Sequence, residues 1–250
     1  PTFDYGEGKT LDAIPTWDSW AHYHIMVGLM LWSDILDDPA IMEAVHKIAR
    51  LFLEKFPESG LRLVDTGSCE MNMATYHGFL LLYNRCGKPE YLEFARRLET
   101  QLSDPAAGDY LSYAKQGLDF WRCPKPRWES LHVILGFGEM YRATGDESYL
   151  AAARQIWESI QATDVHNTGA FSTDEQAIGN PFVNGKIETC CVIAYNALSV
   201  QLYNLTLDPA VADYLERCYY NAIMGYYSKS GRWSTYNTPM VGYKRANYHE

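Results

Sequence analysis

One phrase recurs four times in this 250-residue chain and limits what it can fold into. LWSDILDDPAIMEAVHKIARLF begins at Leu31, LLYNRCGKPEYLEFARRLETQL at Leu81, EMYRATGDESYLAAARQIWESI at Glu139 and QLYNLTLDPAVADYLERCYYNAI at Gln201. Each copy reads as an apolar-periodic helix, a short turn containing Gly, Asp or Pro, and a second apolar-periodic helix. In the third copy Gly145 supplies a helix stop and Asp146 an N-cap, while Tyr149, Leu150, Ala153 and Ile156 keep helical spacing. The turns centre near residues 38, 88, 146 and 208, a period of about 50 to 60 residues, or one helical hairpin plus its connections.

A hairpin of this kind buries its apolar face only against neighbouring hairpins. The fold is therefore expected to be all-α, either an open solenoid or a ring with an inner and an outer helix layer. The stretches between hairpins, 57–68, 103–126, 162–187 and 228–250, are too long to be simple connections. They carry His, Trp and carboxylates, as an active-site mouth would, which favours the ring. Strand signals are weak and confined to these stretches. A closed ring of six hairpins needs roughly 330 residues at this period. Residues 1–250 are thus expected to be part of one α/α-toroid catalytic domain of the (α/α)6 type. About four hairpins are visible; the rest, and any β-sandwich domains, are expected to lie outside this chain.

Composition narrows the function. A formal net charge of -10 makes nucleic acid or an anionic membrane a poor partner, since both call for clustered Lys and Arg. No apolar run reaches the about 18 residues that a membrane span needs. The 19 Tyr and 7 Trp are enough to line a sugar site, where ring faces pack against C–H faces, although core packing accounts for most of them. Three histidines, His24, His77 and His132, fall near the start of the first helix of successive hairpins. In a ring they would gather on one side, where they could bond sugar hydroxyls. Each alone could equally be a capping or packed histidine.

The segment NGKIETCCVIAYNAL, 184 to 198, sets Glu188 two residues before Cys190, with Cys191 next and a buried-looking helix following. Carboxylate and thiolate form a zinc ligand set, and residues i and i+2 share a face only in extended backbone. Glu188 and Cys190 can therefore converge on one ion just before the helix. The alternative is a first-turn Glu beside two small buried cysteines. The six cysteines need not be disulfides in a chain of this length, and adjacent Cys190 and Cys191 are poorly placed to bridge each other.

Several motifs occur in order: Thr168-Gly169-Ala170-Phe171-Ser172-Thr173, then Glu175, Glu188-Thr189-Cys190, Glu216 through Asn221, and Tyr236-Asn237-Thr238-Pro239. Together they resemble glycoside hydrolase family 127 and its relatives, the β-L-arabinofuranosidase-like six-hairpin glycosidases. The resemblance runs over nearly the whole chain and is strongest from 140 to 240. It implies a retaining, zinc-thiolate-assisted glycosidase acting on a carbohydrate such as β-linked L-arabinofuranose. Glu175 would be the general acid/base, Glu188 and Cys190 would bind Zn²⁺, Tyr236 would hydrogen-bond nucleophile or substrate, and Glu216 would support the sugar site. The nucleophile would come from a Cys-Cys pair after Tyr236, expected beyond residue 250. Cys191 is read as a buried helix residue, and Asp174 stays open as the acid in place of Glu175. A histidine-based sugar epimerase on an α/α ring, or a non-catalytic helical domain binding carbohydrate or protein, are the other readings.

Overall fold

The second helix of each hairpin starts with an Asp cap, a first-turn proline or both. Asp38, Asp146 and Asp208 each accept a hydrogen bond from the backbone N–H two residues on, at 2.9 Å. Pro39, Pro89 and Pro209 occupy first-turn positions where no N–H is needed. The preceding helices end on left-handed residues, Gly87 (φ 68°), Gly145 (φ 72°) and Leu207 (φ 53°). The structure, a computed structural model, describes residues 17–239 and residue 246.

The chain runs α1 (Asp18–Ser33), α2 (Pro39–Lys55), α3 (Cys69–Asn72), α4 (Thr75–Cys86), α5 (Pro89–Gln101), α6 (Tyr110–Lys115), α7 (Ser130–Thr144), α8 (Glu147–Thr163), β1 (Lys186–Glu188), α9 (Thr189–Thr206), α10 (Pro209–Cys218) and β2 (Asn237–Pro239). The hairpins α1/α2, α4/α5, α7/α8 and α9/α10 match the four repeats, and their turns fall where the sequence puts them. The connecting stretches also hold short helical turns, α3 and α6 among them, that pattern reading does not reveal. β1 and β2 lie in those stretches and pair antiparallel, Glu188 opposite Asn237. Among the described residues no helix is long and apolar enough to cross a membrane.

Two layers result. The inner helices α1, α4, α7 and α9 pack side by side, and each carries its partner outside it. The outer helices bury one stripe, such as Val45, Ile48, Ala49 and Phe52 on α2 or Tyr91, Phe94, Ala95 and Leu98 on α5. By contrast, α7 is buried almost all round, from Val133 to Met140 without a break. That circumference includes a carboxylate, Glu139, only 5% exposed. Asn84 of α4 donates to its Oε2 and Gln201 of α9 to its Oε1, both at 2.9 Å, so one charged group ties three inner helices.

Close approach requires small residues. A Cβ on Gly136 would run into the Tyr76 ring and reach within 3.4 Å of the His77 Cα, and one on Gly138 would meet the Gln201 side-chain amide. Gly136→Ala is therefore expected to push α4 from α7 and destabilise the fold by about 1–3 kcal/mol. Chemical denaturation checks this, and an unchanged midpoint would contradict the packing described.

Candidate active site

The first turns of the inner helices meet at one end of the arc. There α1 supplies Trp20, Tyr23 and His24, α4 supplies His77, and α7 supplies His132 with Trp128 just before it. The Tyr23 hydroxyl lies 2.8 Å from His77 Nδ1 and 3.0 Å from His132 Nδ1. The Trp20 ring stands edge-on to His24 at 4.2 Å and to His132 at 4.9 Å, and the His24 and His132 rings are 5.3 Å apart. Trp128 closes the wall 6.0 Å from both Trp20 and His132. The histidines that recur in the repeats are thus brought together. His22 turns instead into its own hairpin, edge-on to Phe52, with Nδ1 at 2.5 Å from the Asp18 carbonyl.

Burial disfavours the charged form of these rings. It pushes His77 down to about 4, with Glu139 opposing and His24 assisting. It pushes His132 down to about 3, with His24 and His77 adding to the effect. His24 is lowered by burial too, and burial raises the Tyr23 phenol far above its usual range.

Beside this wall sits the carboxylate–thiol group. Thr173 and Gln176 exchange both backbone hydrogen bonds at 3.1 Å, so Asp174 and Glu175 form the tip of a two-residue turn. Both have positive φ, 46° and 68°, as in a type I′ turn. Asp tolerates this conformation, but Glu adopts it at a cost, and strain of that kind collects at functional sites. The buried Asp164 carboxylate anchors the base of the loop by accepting from the N–H groups of Ile178 and Gly179 at 2.6 and 2.9 Å. Arg127 holds the tip: it donates to Glu175 Oε2 at 2.6 Å and, through Nη2 and Nε, to both oxygens of Glu129 at 2.9 and 3.1 Å. The Trp128 N–H donates to the Glu175 carbonyl at 3.2 Å, joining turn and aromatic wall.

Glu188 has extended backbone (φ -86°, ψ 143°) and caps α9, the geometry that lets it face Cys190. The Cys190 thiol lies 3.4 Å from Glu188 Oε2 and receives the Tyr236 hydroxyl at 3.0 Å. Tyr236 is carried there by β2, and its carbonyl accepts the Thr189 N–H at 2.9 Å, so the strand pair and the helix start form one unit. Burial raises the Glu188 carboxyl, opposed by the Cys190 hydrogen bond and reinforced by Glu175. Cys191 is buried, as expected, but its sulfur faces the same spot. The Glu188, Cys190 and Cys191 donor atoms all lie within 4.8 Å of one another. The Cys190 sulfur and burial together hold the Cys191 thiol well above its ordinary range. Two sulfurs and an oxygen gathered on one side fit a tetrahedral Zn²⁺.

Glu216 stands elsewhere. It lies on the exposed face of α10 and lines a shallow depression with Asn196, Val200, Tyr219 and Tyr220. Asn196 and Val200 are about 9 and 15 Å along the axis of α9 from Cys190 at 1.5 Å per residue. Arg127, Tyr23 and the side chain of Cys191 are members of the site that pattern reading passed over.

Comparison with known proteins gives the family. The description that matches residues 7–250 is the β-L-arabinofuranosidase GH127 catalytic domain. The chain belongs to this family. A comparison with curated proteins finds no match. Among solved structures, a GH127 β-arabinofuranosidase superposes with a TM-score of 0.67 at 20% identity, over 89% of this chain and 36% of its own. A GH127 β-L-arabinofuranosidase from Geobacillus stearothermophilus T6 gives 0.72 at 17% identity, over 96% and 41%. An inactive variant of a GH76 α-1,6-mannanase from Salegentibacter sp. HEL1_6 gives 0.55 at 16% identity, over 80% and 58%. The fold is the (α/α)6-type toroid, of which this chain forms part. It spans well under half the length of the GH127 structures it matches.

The neutral histidines give a pH signature. Unfolded, each ring takes up a proton below about pH 6.5; folded, His77 does so only near 4 and His132 only near 3. Their contribution is therefore present above about pH 6.5 and is lost as the pH falls through that window, on the order of 2 kcal/mol per ring at pH 4.5. The drop in unfolding free energy between pH 7 and 4.5 should shrink in His77→Asn/His132→Asn, and an equal drop in both proteins would contradict buried neutral rings.

Proposed function

We propose that this GH127 chain is part of the catalytic domain of a retaining glycosidase that hydrolyses β-linked L-arabinofuranose or a related plant-derived sugar. The observation that carries the reading is the meeting of Glu175, on its strained turn, with Glu188 and Cys190 beside a wall of histidine and tryptophan. The wall suits a sugar ring, with aromatic faces for C–H surfaces and imidazole edges for hydroxyls. His24, His77 and His132 are its hydroxyl-binding members. The family resemblance gives Glu216 a supporting part at the sugar site, and it would act from an exposed place on α10 beside Asn196 and Val200 of α9.

In this reading Glu175 is the general acid/base. Its carboxyl gives a proton to the leaving glycosidic oxygen and afterwards takes one from the attacking water. Arg127 fixes its side chain through Oε2. A nucleophilic thiolate, which the family resemblance places in a cysteine pair following Tyr236, forms and then releases the bond to the anomeric carbon. Glu188 and Cys190 would hold Zn²⁺, with the Cys191 sulfur within reach. When bound, the ion keeps sulfur ionised at neutral pH. Tyr236 orients the Cys190 sulfur through its hydroxyl.

In the full-length protein, Glu175→Gln is expected to lower turnover of an aryl β-L-arabinofuranoside by about 10²–10⁴-fold while circular dichroism stays unchanged. Undiminished turnover would remove Glu175 from the acid/base role. Cys190→Ser is expected to lower the zinc content measured by elemental analysis; full stoichiometry in that variant would refute the ligand assignment.

A further inference from the structure

Tyr23 is fully buried, and its single hydroxyl lies between two ring nitrogens, His77 Nδ1 at 2.8 Å and His132 Nδ1 at 3.0 Å. A phenol has one proton to donate. It can satisfy one of the two nitrogens, and the other must carry its own proton and donate to the phenol oxygen. A neutral imidazole bears a proton on only one nitrogen. We infer that Tyr23 holds His77 and His132 in opposite tautomers, so that one ring presents an Nε2–H donor and the other a bare Nε2 acceptor to a ligand with two neighbouring hydroxyls.

Three observations support this. Burial keeps both imidazoles and the phenol uncharged at neutral pH, so each ring has one proton to place and Tyr23 keeps its own. Neither Nε2 makes a hydrogen bond among the described residues, and neither is a sealed, orphaned atom, so both are left to meet a ligand. The three groups come from α1, α4 and α7, so the Tyr23 hydroxyl also ties together the mouths of three hairpins. A sugar hydroxyl both donates and accepts. One that loses its partner leaves a polar nitrogen unpaired, which makes such a pair selective against a deoxy sugar. Tyr23 is accordingly a positioning residue that acts through the histidines, and its effect on a sugar rests on the function proposed above.

The test is long-range ¹H–¹⁵N correlation NMR of the full-length protein labelled at histidine, at pH 7. One of His77 and His132 is expected in the Nδ1–H form and the other in the Nε2–H form. Tyr23→Phe keeps the ring and removes the hydroxyl, and it is expected to abolish the Nδ1–H form and raise KM for an arabinofuranoside roughly tenfold with a smaller change in kcat. Finding both rings in the same tautomer in the unsubstituted protein would overturn the inference, whatever the variant does. Opposite tautomers with no movement of either resonance on adding arabinose would uphold the tautomer lock and remove the sugar reading of the site.

Discussion

Inner helices can share a layer only if each satisfies its polar groups while burying nearly all of its surface, and α7 meets that demand with Glu139. Its carboxylate lies in the layer and accepts from Asn84 on one side and Gln201 on the other. A buried carboxylate without partners costs several kcal/mol, so the three helices are held to one register. Gly136 and Gly138 provide the close approach that these hydrogen bonds require. The register carries up to the mouth: His77 lies next to the Gly136 contact, and His132 sits one turn before it on α7.

The mouth is assembled from two kinds of chain. Helix starts deliver the histidines and Trp20, and their positions follow from the packing below. The loops deliver Glu175 and Tyr236, whose placement depends on specific anchors. Asp164 grips the base of one loop, Arg127 its tip, and the β1–β2 pair fixes the other loop to the start of α9. Side chains carried on loops need such anchoring because a loop offers no periodic hydrogen bonds of its own. Arg127 has a further consequence: it gathers Glu129 and Glu175, so removing it would leave Glu129 buried and uncompensated as well as freeing the turn.

The hairpins were legible in the sequence because they are set by local chemistry. Asp38-Pro39, Gly145-Asp146 and Asp208-Pro209 each mark a helix stop and start within a few residues, and the apolar period does the rest. The nearness of Glu188 and Cys190 was legible for the same reason, since two residues of extended chain before a helix fix their relation. What lay hidden depends on residues far apart in sequence or on backbone that side-chain identity does not betray. The turn at Asp174 and Glu175 has no glycine to announce its positive φ. Arg127 reaches Glu175 across 48 positions. Tyr23 looks like an ordinary core aromatic until α4 and α7 bring two imidazoles to its hydroxyl. Cys191 looked like a core residue from its place in the helix, yet the first turn of α9 directs both sulfurs to one side. Glu216 entered through a motif, which says nothing of which face of α10 it occupies.

The proposed chemistry turns on a thiolate–carboxylate metal site at the junction of β1 and α9. Zinc K-edge X-ray absorption on the full-length protein tests it most directly. Sulfur scattering is expected at about 2.3 Å together with an oxygen shell at about 2.0–2.2 Å. A shell of oxygen and nitrogen alone, or protein that retains no zinc, would contradict it.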